Sequence, residues 1–335
     1  NHVSLCKLFG CRLSYNQSSK CGKGAAMNRI EQFCETLDSV YAQGEPEAVE
    51  RFLLQFRDNV RTQRDRWMLL TVQNELGAFY RGAGRYAESL EAFTNAMEEA
   101  KELCGPASGE FANILNNRAG TYRLLHRGEE AEKLFLQAME VYQNAGLQDS
   151  YSYTSVLNNL SLVYQETGEL DKAICYLEQA LGQITKQPER WQELAVTYNN
   201  LTTLYHSAGE PEKAFQCVMR ALQAYEKCPE EERVHYAAVL NSLAGYFYSR
   251  GDWRQALELY RRSAHYTLRF FGENEEYGIT CQNMHWAYKK LGDPEAAACC
   301  LQKAAAVYTK LYGQDSDRAQ AVIQELHRLQ ERSGG

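Results

Sequence analysis

The sequence predicts an all-α protein, an α-solenoid of antiparallel helix pairs. Three observations carry that prediction. A set of residue columns recurs at intervals of 41 or 42 residues. Within each period the apolar residues step by three and four, which places them on one face of a helix. Between the two apolar sets of a period stands a glycine, a helix stop that permits a tight reversal. One such hairpin cannot cover its own apolar faces, so it stacks on neighbours of the same kind.

Taken in order, Asn1–Ala26 lacks this periodicity. It carries Cys6, Cys11 and Cys21 and begins without methionine, and Lys7 and Arg12 interrupt any apolar core of a secretory signal. The cysteine spacing, with His2 nearby, is poor for zinc. The expectation is a disordered or non-native extension, with natural translation starting at Met27. Gly22-Lys23-Gly24 can be encoded by a purine-rich run placed where a bacterial ribosome-binding site would sit. Residues 28–63 read as an N-terminal capping hairpin. Ile30, Phe33, Leu37 and Tyr41 form one apolar face, Val49, Phe52, Leu53 and Phe56 the other, and Gly44-Glu45-Pro46 the turn.

Residues 66–311 read as six repeats, each a helix A followed by a helix B. Leu76, Arg118, Leu160, Leu201, Leu243 and Met284 mark the repeats. Four residues on stands an aromatic: Tyr80, Tyr122, Tyr164, Tyr205, Phe247 and Tyr288. The turn column is Gly84, Gly168, Gly209, Gly251 and Gly292, with His126 the exception. Helix B carries two small residues seven apart, such as Ala173 and Ala180, where the helices must approach closely. A larger side chain there would overpack the crossing at about 1–3 kcal/mol. Residues 316–332 read as a C-terminal capping helix with Ser316-Asp317 as its N-cap.

These columns resemble the tetratricopeptide repeat. The long period, the Asn-Asn-Leu triplets and links such as Phe271-Gly272-Glu273-Asn274 are similar to the kinesin-light-chain type. The resemblance runs from about Trp67 to Leu311. It implies a right-handed superhelix with helices A along its concave side, and it does not specify a partner.

Composition narrows the function. A net charge of −7 argues against a nucleic-acid binder, which concentrates Lys and Arg on one face. No apolar run approaches the ~18 residues of a membrane span. The 11 cysteines are scattered with no C-x-x-C pair, so a reduced, cytoplasmic setting is expected. Phosphate-loop, zinc-protease and nucleophile-elbow motifs are missing, no metal or other cofactor is implied, and a non-enzymatic role follows.

One pattern rises above this background. Before the markers stand Asn116-Asn117, Asn158-Asn159 and Asn199-Asn200, flanked by Asn74, Asn241 and Asn283. Helix propensity does not explain the recurrence. Each amide offers two donors and an acceptor, which suits the backbone of an extended peptide. The resemblance implies that asparagines of this kind contact cargo peptides in the groove. For the second member of each pair (Asn117, Asn159, Asn200, Asn283) a bridge between neighbouring helices is an equally open reading. Five residues after the markers stand Arg81, Arg123, Gln165, His206, Tyr248 and Lys289, placed on the same side, as groove contacts or as a solvated rim. Relatives that bind chaperone tails use a lysine and asparagine clamp. Here Asn74 and Asn116 occupy the lysine sites and Ala78 and Gly120 the asparagine sites, which disfavours that partner. The expectation is a bacterial, cytoplasmic scaffold that binds a partner peptide in its groove, without nucleic acid or membrane. The alternative is a peptide-sensing receptor.

Overall fold

A computed structural model describes residues 23–187, 189–230, 233 and 235–333, with side chains described over 28–329. The expected extension falls largely outside the described residues, although Lys23–Ala26 already lie in the first helix. Among the described residues there are 15 α-helices and no strand, and the chain divides into two compact units between Gln187 and Pro188.

The N-terminal unit opens with the hairpin α1 (Lys23–Tyr41) and α2 (Pro46–Thr62). Three A/B pairs follow: α3 (Arg66–Gly82) with α4 (Tyr86–Cys104), α5 (Gly109–Leu124) with α6 (Gly128–Asn144), and α7 (Tyr151–Glu166) with α8 (Leu170–Ile184). The C-terminal unit holds α9 (Trp191–Ser207) with α10 (Pro211–Glu226), α11 (Tyr236–Ser249) with α12 (Trp253–Phe271), and α13 (Glu275–Leu291) with α14 (Pro294–Tyr312). It ends in α15 (Asp317–Ser333), packed on α14. Within a unit each B helix also packs on the next A helix, and α3 touches α5, α5 touches α7 and α9 touches α11. The protein is thus an all-α solenoid of stacked hairpins.

The small-residue columns explain the tight crossings. Ala131, Ala138, Ala173, Ala180, Ala256 and Ala304 are completely buried. Where serine replaces alanine, its hydroxyl must find a partner once buried. Ser89 Oγ donates to the Gly77 carbonyl and Ser263 Oγ to the Ala237 carbonyl, each at 2.8 Å on the facing helix A. Side-chain caps start several helices: Ser108, Ser150 and Asn274 accept from the backbone N–H three residues on. The turn glycines adopt left-handed φ, between 73° and 83°, and His126 takes the same conformation at φ 56° without glycine's freedom.

The aromatic column has a partner that periodicity alone does not announce. A cation from the start of helix B rests over the ring: Arg85 over Tyr80, Arg127 over Tyr122, Lys172 over Tyr164 and Lys213 over Tyr205, at 4.5–5.5 Å from the ring centres. Tyr80 also donates to Glu50 and Tyr164 to Glu132, so these two rings tie their hairpins to the one before.

Candidate functional site

The asparagine columns lie on the A helices, and their first task is visible in their hydrogen bonds. Asn117 Nδ2 donates to Asn74 Oδ1 at 2.8 Å and to Asn113 Oδ1 at 3.1 Å. Asn159 Nδ2 donates to Asn116 Oδ1 at 3.0 Å. In the C-terminal unit Asn283 Nδ2 donates to Asn241 Oδ1 at 3.3 Å. The rule is the same each time: the second asparagine of one repeat binds the first asparagine of the repeat before it. The period brings the two amides together because consecutive A helices lie side by side in one register.

This departs from the groove placement expected of Asn74 and Asn116, and for Asn117 it favours the bridge over the groove. Asn74 and Asn117 are 0% and 1% exposed, and Asn116 is buried as well. Their amides close the joints between repeats and do not face an open trough. Asn158, Asn159, Asn199, Asn200, Asn241 and Asn283 are half-buried, and Asn158 Nδ2 donates to Thr154 O within its own helix. Within the C-terminal unit one bridge of this kind is not made. Repeat 5 has Ser242 as its second residue, whose Oγ donates back to Ala238 O at 3.0 Å. The Asn199 Oδ1 it would have served is buried without a hydrogen-bond partner.

The column five residues after the markers divides too. Arg81 is buried; its Nη1 donates to the Asn117 carbonyl at 3.0 Å, and its guanidinium lies over the Phe93 ring. It is a joint residue, contrary to the groove or rim expected for it, because the chain leaves room for it. A Cβ on Gly120 would come within 2.9 Å of Arg81 Nη1, so a side chain there would have to displace the guanidinium. Arg123 reaches Glu166 at 2.5 Å on the next A helix, and Lys289 reaches Glu325 on α15 at 3.0 Å. The Lys289 ammonium holds the Glu325 carboxyl below its ordinary range. Both pairs are partly open to water, so each contributes little to stability. Gln165 and Tyr248 are half-buried and His206 is exposed.

Two features of these faces do not follow from the asparagine pattern. On α13, Ile279 and Trp286 stand seven residues apart on one face, 40% and 44% exposed. Trp286 and Lys289 line a hollow of about 420 Å³ with Glu325, Arg328 and Leu329 of α15, and the Lys289 ammonium lies 4.7 Å from the indole centre. Beside Trp286, His285 is fully buried, with Nδ1 3.2 Å from Ala297 O and Nε2 without a hydrogen-bond partner. Burial pushes its pKa below the ordinary imidazole value. No group of three or more His, Cys, Asp or Glu side chains among the described residues could hold a metal ion. No helix among them is long and apolar enough to cross a membrane.

Comparison with known proteins bears on these hairpins. Family models described as tetratricopeptide repeat match residues 69–108, 110–184 and 193–265, more than half of the chain. The mitochondrial tetratricopeptide repeat protein 19 homolog of Drosophila melanogaster is 29% identical over 119 residues, 35% of this chain and 32% of that protein. The match therefore spans about a third of that relative's length. Among solved structures, the apo form of the quorum sensor NprR from B. thuringiensis superposes with a TM-score of 0.59 and 16% identity, over 92% of this chain and 82% of that one. A Rap protein complexed with competence and sporulation factor gives 0.60 and 14%, over 90% and 85%. Identities this low establish a common fold.

Proposed function

Because the chain belongs to the tetratricopeptide-repeat family, we propose that it is a non-catalytic interaction scaffold whose A-helix faces hold an extended segment of a protein partner. The observation that carries this reading is the exposed pair Ile279 and Trp286 on α13. An amphipathic helix in a stack keeps its large apolar residues inside. An indole and a branched aliphatic chain left open on one face, the indole at the edge of a hollow, form an anchor for a partner side chain. Within the C-terminal unit the half-buried amides Asn199, Asn200, Asn241 and Asn283, with His206 and Tyr248, offer polar contacts on the A helices, as Asn158, Asn159 and Gln165 do within the N-terminal unit. A cytoplasmic setting belongs to the proposal, since Cys217, Cys228, Cys281 and Cys300 are buried thiols outside any disulfide.

Site-directed photo-crosslinking tests the assignment. A benzophenone amino acid at Trp286 should label a defined polypeptide in the source cell, while the same group at Arg254, exposed on a B helix, should not. Equal labelling from the two positions, or none from Trp286, would refute it.

A further inference from the structure

The B helices of the two units differ in charge. In the N-terminal unit α4, α6 and α8 together carry 11 carboxylates against three cations. In the C-terminal unit α10, α12 and α14 carry eight cations against four carboxylates. The contrast is concentrated in two columns. Nineteen residues after the markers of the C-terminal unit stand Arg220, Arg262 and Lys303, and seven further on stand Lys227, Arg269 and Lys310. Positions seven apart share a helix face, and all six side chains are exposed. They form a basic ladder across three successive repeats.

The fold does not call for these cations. The same columns of the N-terminal unit hold Asn95, Gln137 and Gln179, then Glu102, Asn144 and Lys186, and the hairpins there stack in the same way. Two of the six are held in ion pairs, Arg269 with Glu230 and Lys310 with Glu273. Arg262 donates to the Tyr236 hydroxyl and Lys227 lies over Trp191. Arg220 and Lys303 make no ion pair or hydrogen bond among the described residues. A row of like charges that packing does not require costs self-repulsion, and a surface of opposite sign relieves it.

The chain itself supplies that surface. Glu91 and Glu98 stand seven apart on α4, and Glu140 holds the repeat position of Glu98 on the next B helix, α6. All three are exposed. Seven residues rise about 10 Å along a helix, so the acidic face and the basic ladder have the same spacing. We propose that the protein self-associates, the basic ladder of one copy's C-terminal unit docking on the acidic face of α4 and α6 in a second copy's N-terminal unit. None of these residues lies on an A helix, and Arg254, in the first turn of α12, stands outside both columns.

Sedimentation velocity of the full chain at two salt concentrations tests it. Each surface pair is weak by itself, so association through a ladder of them is reversible. It follows the screening length, about 30 Å at 0.01 M salt and about 8 Å at 0.15 M. Dimers or larger species are expected at the lower salt, with affinity about tenfold or more weaker at the higher. Arg220→Glu/Lys303→Glu and Glu98→Lys/Glu140→Lys each reverse one face at residues that make no ion pair in the parent. Each should be monomeric at the lower salt while keeping the parent's urea midpoint. An equimolar mixture of the two variants should associate again, because their reversed faces match. Arg220→Gln/Lys303→Gln, which brings in no new charge, should weaken association in the same direction. A parent that stays monomeric at the lower salt, association indifferent to salt, or a mixture that fails to restore it would overturn the assignment. So would a monomer that binds phosphatidylserine vesicles or duplex DNA through the ladder, since the surface would then belong to a lipid or a nucleic acid.

Discussion

Replacing Asn117 with alanine tests the claim that the asparagine columns hold the repeats together. In the native joint Asn117 Nδ2 serves two acceptors, Asn74 Oδ1 and Asn113 Oδ1, and both of those residues are buried, at 0% and 5% exposure. Removing the donor leaves two carbonyl oxygens to find a partner where water reaches poorly. Each buried, unsatisfied polar group costs about 1–3 kcal/mol. Partial rearrangement of Asn113, near the start of α5, offsets some of that. The expected loss is about 2–4 kcal/mol, and it should fall within the N-terminal unit. Asn283→Ala breaks a longer bond, 3.3 Å, between half-buried residues where water can substitute, so it should cost about 0.5–1 kcal/mol. Urea titration by circular dichroism gives the totals, and hydrogen exchange across α3 and α5 localises the loss. The double variant Asn74→Ala/Asn117→Ala should cost less than the two single changes together by about 1–2 kcal/mol, since the pair acts as a unit. Strict additivity, or an Asn117→Ala protein that unfolds with the parent, would refute the reasoning.

Other outcomes follow from the same structure. His126→Gly should raise stability by about 1 kcal/mol in urea titration, because it relieves a side chain held at left-handed φ where five other repeats carry glycine. Arg81→Met keeps the contact with Phe93 but removes the second donor to the Asn117 carbonyl, which keeps its helical bond, and should lower stability by about 0.5–1.5 kcal/mol. Arg123→Ala, which breaks a bridge partly open to water, should cost less than about 1 kcal/mol. His285 titrates below its ordinary value, with burial the main cause and Lys289 acting the same way against Glu325 and the Ala297 carbonyl. The unfolded chain therefore takes up this proton first, so stability should fall as pH drops below about 6.5, by no more than about 1.4 kcal/mol per pH unit for the one group. Urea midpoints at several pH values, with His285→Gln flatter than the parent across that window, check the assignment.

The repeats were legible in the chain because their cause is local. Apolar steps of three and four fix which face of a helix is buried. Glycine at position 84, 168 or 251 fixes where the chain reverses, and paired small residues such as Ala173 and Ala180 fix how closely two helices cross. Each of these constraints acts within one period, and recurrence makes it readable. The amides were legible as a pattern and not as a role. Asn74 and Asn158 look alike in sequence, yet the first is sealed against Asn117 and the second is half-buried. The difference depends on what the neighbouring repeat places within 3 Å, and a hydrogen bond is made or lost over a few tenths of an ångström.

Sequence alone therefore determined the all-α repeat architecture, the turns and the identity of the inward-facing columns, because periodicity and side-chain size act through short stretches of chain. Only the tertiary structure decided which asparagines close the joints, that His126 accepts a glycine's conformation, and that Arg81 is an interior residue admitted by Gly120. Those outcomes depend on contacts between residues some 40 positions apart, and the packing that brings them together settles whether a polar group is paired, buried or open to water.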